Sequence, residues 1–271
     1  MNKNAAQKAS FSFGANWRRF LNALSEERLE NARRSLTGFF EMDNLRGKTF
    51  LDVGCGSGIF SHSAFMLGAE KIVSFDVDPL SVECCRFMRE KAGSPGNWEI
   101  SAGSVLDDDY VSTLGTFDVV YSFGVLHHTG RMWEAIKNSA RLVAKGGYYY
   151  IAIYNRVDGR FGSAFWLKVK RFYNRHPFVG KYILGNAAVL YYFLSILKGF
   201  RNPFAIIRNY KQKRGMDWRT DVTDWLGGYP YEFASVEEIF RFMKTNFPDF
   251  RLLNVKTVNG RGNNWYLFRR I

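Results

Sequence analysis

Short apolar runs alternate with amphipathic stretches along the first 154 residues of the chain. Strand patterns occur at Lys48–Val53, Lys71–Phe75, Trp98–Ala102, Phe117–Ser122 and Gly147–Tyr154. Helical patterns precede and separate them, at Glu27–Phe40, Ile59–Leu67, from Pro79 to about Lys91 and at Arg131–Val143. Strands that alternate with helices in this way predict parallel βαβ units, with helices on both faces of one sheet.

The pattern changes after the fifth strand. Residues 155–234 are basic, aromatic and irregular, so we interpret them as an insertion. Ser235 and Glu238 then have the spacing of a capping box at the start of a further helix. Two more strand patterns end the chain, separated by the turn residues NGRG: Phe250–Val258 and Asn264–Arg269. A closing hairpin after a parallel sheet predicts a mixed sheet.

The predicted fold class is therefore α/β. It is a Rossmann-like, seven-stranded mixed sheet with helices on both faces, a closing antiparallel hairpin and a basic helical insertion. We divide the chain into a helical N-terminal segment (1–46), an α/β core (47–154 and 235–271) and the insertion (155–234). With 271 residues, of which 46% are hydrophobic, the chain is long enough to bury such a core.

The net charge of +13 is concentrated in the insertion. Between Gly159 and Met216 the sequence has 12 of its 38 Lys and Arg residues and none of its 25 Asp and Glu residues. The chain is thus a nearly neutral body with one basic segment, unlike a uniformly basic nucleic-acid coat. The three cysteines lack metal-ligand spacing and the first residues lack the apolar run of a secretory signal, so we expect free thiols and a cytoplasmic location.

The stretch LDVGCGSGIF joins the first strand to the next helix. Its glycines lie at alternate positions: Gly54, Gly56 and Gly58. Ile59 stands where a dinucleotide fingerprint has its third glycine, and no P-loop lysine follows, which argues against a bound pyrophosphate. Asp52 would repel phosphate but can accept a hydrogen bond from a charged amine. Asp76, at the end of the next strand, can bind two ribose hydroxyls, whereas Asp78 suits a helix N-cap.

From about Gly47 to Tyr154 the sequence resembles the class I S-adenosylmethionine-dependent methyltransferases. LDVGCGSG is similar to their first motif, SFDVDP to the ribose-binding strand end and GSVLDDDY to the adenine-side loop. FDVVYSFGVLHHTG is similar to their fourth strand and active-site rim, and LVAKGGYYYIAIYN to the fifth strand. Many members have Asp where this chain has Ser104, whose hydroxyl can still bond the adenine amine, with Asp107 as an alternative partner.

This resemblance implies methyl transfer with S-adenosyl-L-methionine as the cofactor. The cofactor-binding residues expected from it and from the spacing are Asp52, Gly54, Gly56, Gly58, Asp76, Ser104, Val105 and Phe123. The flanking stretches FSFGANWRRF and DWLGGYPYEFAS resemble those of a bacterial subgroup that acts on small molecules. Its members are labelled by analogy with ubiquinone-pathway methyltransferases and are linked to glycan or natural-product pathways.

Two adjacent histidines, His127 and His128, follow the fourth strand. Ligands of open α/β sheets bind beyond the carboxyl ends of the strands, so we expect these side chains near the transferring methyl group. A histidine that titrates near neutrality can take a proton from a hydroxyl or an ammonium group. Equally, one of the pair can serve only to shape the loop. Adjacent histidines without a third ligand do not suit a metal.

Aromatic and polar residues outside the strand pattern are the candidates for the acceptor site. Loops with such residues commonly carry function, although the same residues also suit a structural loop that packs its own aromatic rings. The candidates are Trp17, Asp224, Trp225, Tyr229, Tyr231, Glu232, Asn263 and Asn264. For Trp17, the alternatives are closure over the cofactor and a staple for the N-terminal helix.

The insertion has three interpretations. Its longest uncharged run, Tyr182–Leu197, has 16 residues, fewer than the roughly 20 that span a bilayer. We expect a helical lid whose apolar faces pack over the pocket and whose basic residues are mostly solvated. Lys168, Lys170 and Arg171 are the cations we would test for contact with an anionic acceptor or membrane. A membrane-surface element and an anion-binding lid are the alternatives.

The leading functional hypothesis is methylation of a small or lipid-linked, anionic metabolite, on oxygen rather than on nitrogen or sulfur. Peripheral contact at the inner face of the membrane goes with the lipid-linked version. One alternative is an RNA methyltransferase that uses the basic insertion, although the sequence has no RNA-recognition motif. Another is a non-catalytic protein that keeps the fold and binds a partner.

Overall fold

The computed structural model describes residues 14–21, 24–176, 178–198, 202, 206 and 225–271. The strands are β1 (Thr49–Val53), β2 (Lys71–Asp76), β3 (Trp98–Ala102), β4 (Phe117–Phe123), β5 (Val143–Tyr154), β6 (Phe250–Lys256) and β7 (Asn263–Arg270). The helices of the α/β part are α1 (Gly14–Leu21), α2 (Glu26–Phe40), α3 (Ile59–Met66), α4 (Pro79–Lys91), α5 (Asp108–Thr113), α6 (Met132–Arg141) and α9 (Val236–Asn246). Within the insertion lie α7 (Ser163–Arg175), a π-helical turn (Val179–Leu184) and α8 (Gly185–Lys198).

The seven strands form one sheet in the order β3-β2-β1-β4-β5-β7-β6. The first five strands are parallel, and β7 is antiparallel to both β5 and β6. The predicted mixed sheet with a closing antiparallel hairpin is confirmed. The strand order reverses between β1 and β4, and the crevice at such a switch point is where open α/β sheets bind ligands.

Each face of the sheet is covered by its own helices. Helices α5, α6 and α9 pack on one face, against apolar side chains such as Val120 and Tyr149. Helices α2, α3 and α4 pack on the other, against side chains such as Phe50 and Tyr150. Because successive side chains of a strand point to opposite faces, burial on both faces explains why these strands are apolar runs and not alternating patterns.

Side-chain caps fix the starts of several helices. Asp78 accepts a hydrogen bond from the backbone of Leu80 and Pro79 is the first residue of α4. Ser235 and Glu238 form the predicted capping box at the start of α9. Helix α5 was not expected from the sequence. Its N-cap is Asp107, one of whose carboxylate oxygens accepts from the backbone of Tyr110.

The described residues of the insertion are helical over most of 163–198, as expected, and irregular at 155–162 and 228–234. Lys170 is completely buried, unlike its neighbours Lys168 and Arg171. Helix α8 buries Ile196 and exposes Leu190, Tyr191 and Leu194, and its packing over a pocket stays a prediction. Among the described helices, none has both the length and the apolar character needed to cross a bilayer.

Candidate active site

The glycine loop lies at the switch point, between the end of β1 and the start of α3. The backbone N–H groups of Gly54 and Cys55 both donate to the carbonyl of Phe75, at 2.9 and 3.0 Å, which ties the loop to the end of β2. Gly54, Gly56 and Gly58 have φ angles of 75°, 53° and 77°. Side chains rarely adopt this left-handed region, so the backbone itself demands glycine at these positions.

Close neighbours add a steric reason for the same glycines. A Cβ on Gly54 would lie 2.4 Å from the Val125 side chain, and a Cβ on Gly56 would lie 2.9 Å from the indole nitrogen of Trp17. Trp17 thus stands against the middle of the loop, carried there by α1. Helix α1 itself is tied to the body by the backbone N–H of Gly14, which donates to Asp78 at 2.9 Å.

Asp76 ends β2 and faces the loop. One carboxylate oxygen accepts the N–H of Gly56 at 3.0 Å and the other accepts the N–H of Asp78 at 2.9 Å. Burial raises the pKa of Asp76, and these backbone hydrogen bonds oppose that rise. The carboxylate is thereby oriented at the edge of the loop, where it suits a pair of ribose hydroxyls.

Asp52 is buried beneath the loop at the end of a chain of polar side chains. Ser61 donates to Asp52 at 2.5 Å, Ser74 donates to Ser61 at 2.8 Å, and the indole of Trp98 donates to Ser74 at 2.9 Å. Burial raises the pKa of Asp52 from 3.8 to about 7; Ser61 opposes the rise and the nearby Asp76 adds to it. A buried carboxylate of this kind gains from a cation placed beside it.

The remaining predicted cofactor residues line the neighbouring strand ends. The Ser104 hydroxyl accepts from the backbone of Leu106 at 3.2 Å, and Val105 is buried in the core. Phe123 ends β4 in a cluster of aromatic rings, with Trp265 at 5.2 Å between ring centroids. These positions all flank the crevice, and their contact with a cofactor stays a prediction.

The two histidines lie side by side after β4, in a short 3₁₀ turn at Leu126–His128. The Nδ1 atom of His127 accepts the N–H of Tyr154 at 3.2 Å, so its proton is assigned to Nε2. The Nδ1 atom of His128 lies 2.6 Å from the carbonyl of Pro230 and must carry the proton there, which leaves Nε2 as the proton-accepting atom of that ring. The two rings therefore have opposite tautomers.

Both histidines are neutral at physiological pH. Burial lowers the pKa of His127 well below its usual value, and His128 and Lys170 lower it further. Burial also lowers the pKa of His128 to about 4, opposed by its hydrogen bond to Pro230. Nε2 is therefore protonated in His127 and unprotonated in His128. The expectation that one of these rings titrates near neutrality is wrong, because burial lowers both pKa values.

A segment from the end of the insertion holds the histidines from outside. The N–H of Glu232 donates to the carbonyl of His127 at 2.9 Å, and the Glu232 carboxylate accepts the N–H of Met132 at 3.0 Å, at the start of α6. Tyr231 is buried and packs on Tyr154, whose ring lies 4.0 Å from that of His127. Glu232 and Tyr231 thus position the site.

Lys170 and Asn174 of α7 clamp the same segment. The Lys170 amine donates to the carbonyl of Trp225 and lies 4.2 Å from the centroid of the Trp225 ring. The Asn174 amide donates to the carbonyl of Gly227 at 2.9 Å. Burial, together with Arg261, lowers the pKa of Lys170 to about 7. Lys170 and Asn174, four residues apart, share the inward face of α7, and this spacing is the sequence signal that could have revealed them.

The other candidates for the acceptor site lie in different parts of the structure. The amide nitrogen of Asn263 lies beside Gly124, 3.7 Å from where a Cβ would stand. Asn264 is buried in the closing turn, where it accepts from Val258 and donates to Asn155, at 3.0 Å each. Tyr229 is half-buried before the Pro230 carbonyl that orients His128, and Asp224 lies outside the described residues. Asn263 is therefore close to the crevice, whereas Asn264 serves the turn.

A family profile described as "Methyltransferase domain" matches residues 44–176. With the strand order and the glycine loop, this match identifies the chain as a class I S-adenosylmethionine-dependent methyltransferase, the resemblance seen in its motifs. S-adenosyl-L-methionine is the cofactor of this class.

Among curated proteins, the chain is similar to two named "Ubiquinone biosynthesis O-methyltransferase". That of Xanthomonas euvesicatoria is 29% identical over 144 residues, 53% of this chain and 56% of the relative. That of Vibrio parahaemolyticus is 32% identical over 114 residues, 42% of this chain and 47% of the relative. The chain spans about half the length of these relatives. Among solved structures, the chain is similar to magnesium protoporphyrin IX methyltransferase from Synechocystis with bound SAH, with a TM-score of 0.52 and 14% sequence identity. The match covers 90% of this chain and 84% of that one, and it shows a shared fold.

Proposed function

We propose that this methyltransferase transfers a methyl group from S-adenosyl-L-methionine to a hydroxyl oxygen of a small or lipid-linked metabolite. The observation that supports the proposal is the contact of His128 Nδ1 with the Pro230 carbonyl, which assigns the ring proton to Nδ1 and so leaves Nε2 unprotonated. The similarity to O-methyltransferases supports oxygen as the acceptor atom. Nitrogen and sulfur acceptors depend less on a base, because their lone pairs are more nucleophilic.

The residues present fit the cofactor. Three glycines with positive φ angles let the loop turn tightly at the switch point, where such folds bind their ligands. Asp76 would hold the ribose hydroxyls, and Asp52 would face the positively charged part of the molecule through the loop. When bound, S-adenosylmethionine supplies an electrophilic methyl group on a sulfonium. The chain itself supplies alignment, exclusion of water and a base.

His128 would take the proton from the acceptor hydroxyl. Its Nδ1 proton is held by Pro230, so the ring cannot turn without losing that hydrogen bond. Burial and the nearby Lys170 keep it unprotonated at neutral pH. His127, with its proton on Nε2, would act as a hydrogen-bond donor and as a packing surface for Tyr154. General bases contribute about 10²–10⁴-fold to turnover, most when their pKa lies near the operating pH, so we expect the low end of that range for His128.

The acceptor would enter between the histidines and the insertion. Trp17, Asn263 and Tyr229 are our candidates for contact with it, together with Phe123 at the rim. An anionic group is favoured because the stretch from Gly159 to Met216, most of the insertion, is basic and has no acidic residue. The three cysteines are unpaired and buried, which agrees with action in the cytoplasm, at or near the inner membrane face if the acceptor is lipid-linked.

The test is transfer of an isotope-labelled methyl group from S-adenosylmethionine into separate metabolite, lipid and RNA fractions. We expect label in the metabolite or lipid fraction, in an alkali-stable methyl ether. Asp76→Ala is the negative control for cofactor binding, and His128→Gln tests the base. Label only in RNA, or in none of the fractions despite tight cofactor binding, would contradict the proposal.

A further inference from the structure

The outward face of α7 combines cations with aromatic rings. Lys168, Arg171 and Arg175 are exposed there, and Phe165 and Phe172 flank them. Their spacings of three and four residues place all five on one side of the helix, opposite the inward-facing Lys170. Within the described part of the chain, none of the three cations forms an ion pair.

The outward face of α8 is apolar and uncharged. Leu190, Leu194 and Leu197 follow one another at spacings of four and three residues, and Tyr191 lies beside them. Leu190 is 57% exposed and Tyr191 is 65% exposed. Large apolar side chains at such exposure on neighbouring turns make a contiguous patch, and soluble monomers seldom leave such a patch uncovered.

The π-helical turn between the two helices also exposes large apolar side chains. Tyr182 and Ile183 are exposed on it, and Phe178, just before the turn, is 73% exposed. No Asp or Glu occurs anywhere from Gly159 to Met216, so the sequence places no negative charge next to the patch. A lid that closed on its own pocket would bury these side chains; here they face outward.

We infer that the outward face of α7 and α8 docks onto an anionic lipid bilayer. The exposed Leu, Phe and Tyr side chains suit the boundary between headgroups and acyl chains, and the cations beside them suit acidic headgroups. Stable peripheral binding requires two membrane-binding features, and here exposed apolar side chains and cations occur together. The helices would lie in the plane of the interface, and α7 would connect that surface through Lys170 and Asn174 to the segment that holds His128. The docking itself does not depend on the proposed reaction.

The experiment is sedimentation of the full chain with phosphatidylcholine vesicles, with and without phosphatidylglycerol, at low and high salt. Wild type should bind the acidic vesicles and not the neutral ones. The variant Lys168→Gln, Arg171→Gln, Arg175→Gln should lose about a hundredfold in partition coefficient. Its matched control carries the same charge change on exposed residues of the body: Lys137→Gln, Lys145→Gln and Lys244→Gln. This control should bind within about twofold of wild type, because screening confines the effect to charges near the surface.

A second variant distinguishes burial of apolar side chains in the bilayer from electrostatic attraction alone. Leu190→Gln with Leu194→Gln leaves every charge in place and should lose at least about tenfold, with the loss persisting at high salt. Unchanged melting temperature and cofactor affinity would show that both variants are folded. The inference is overturned if wild type does not bind acidic vesicles, or if the leucine variant binds as wild type does. In the latter case the segment binds acidic surfaces by charge alone, without burial of its apolar side chains in the bilayer.

Discussion

Asp52 should make cofactor binding depend on pH. Its carboxylate is buried under the glycine loop, and burial raises its pKa from 3.8 to about 7. A cation beside it would favour the ionised form and lower that pKa again. S-adenosylmethionine carries positive charge, so its binding should expel a proton from Asp52. The perturbation to test is Asp52→Asn, which removes the titration while keeping the size of the side chain.

The magnitude follows from the pKa of the free protein. With a pKa of about 7, roughly a tenth of Asp52 is ionised at about pH 6 and roughly nine-tenths at about pH 8. If only the ionised form binds the cation well, the affinity should rise about tenfold between these values. The folded free protein also keeps this proton up to about pH 7, whereas the unfolded chain releases it near 3.8. Stability without cofactor should therefore fall as the pH rises through that window.

Titration calorimetry in two buffers with different ionisation enthalpies measures the proton released. Near pH 6 we expect close to one proton released per cofactor bound by the wild type, and none by Asp52→Asn. Asp118→Asn is a matched control, because that carboxylate binds Thr49 at the opposite end of the strands. It should keep the proton release of the wild type. A binding enthalpy that is the same in both buffers would refute the reasoning.

Three further results are expected. Asp76→Ala should weaken cofactor binding by about 2–3 kcal/mol, through loss of charge-assisted hydrogen bonds; an unchanged calorimetric affinity would contradict the ribose role. Gly56→Ala should abolish that binding, because φ is 53° and the new methyl group would meet Trp17, whereas Gly38→Ala, with open space around it, should bind normally. With saturating cofactor, turnover should stay level down to about pH 5, since the pKa of His128 is about 4 and the base acts unprotonated; an acid limb near pH 6.5 that is absent from His128→Gln would show instead that the ring titrates normally.

The sheet and the cofactor crevice could be predicted because their signals are local. Strands buried on both faces are unbroken apolar runs, and Asp78 with Pro79 is an unmistakable helix start. The glycine spacing and the acid at the end of β2 lie close together in sequence as well as in space. Only α5 was missed in this part, because six residues are too few to show a helical period.

The outer half of the site could not be predicted, because it depends on contacts between distant segments. His128 is 102 residues from Pro230, the carbonyl that decides its tautomer. Lys170 looked like one more solvated cation, and its burial depends on the rings of Trp225 and Tyr231, more than fifty residues away. The composition showed that the insertion is basic, but only the burial of each side chain in the structure shows which cations point outward.

The attachment of α1 bears on how long the enzyme keeps its cofactor. Asp78 accepts the N–H of the first residue of α1 and also caps α4, two residues after Asp76. Trp17 lies against Gly56. If the cofactor binds at Asp76 as proposed, its departure after reaction would require the N-terminal helix to move away first. The residence time of the demethylated product, and with it the turnover rate, would then be governed by the lifetime of a few contacts around Asp78 and not by the affinity of the crevice itself.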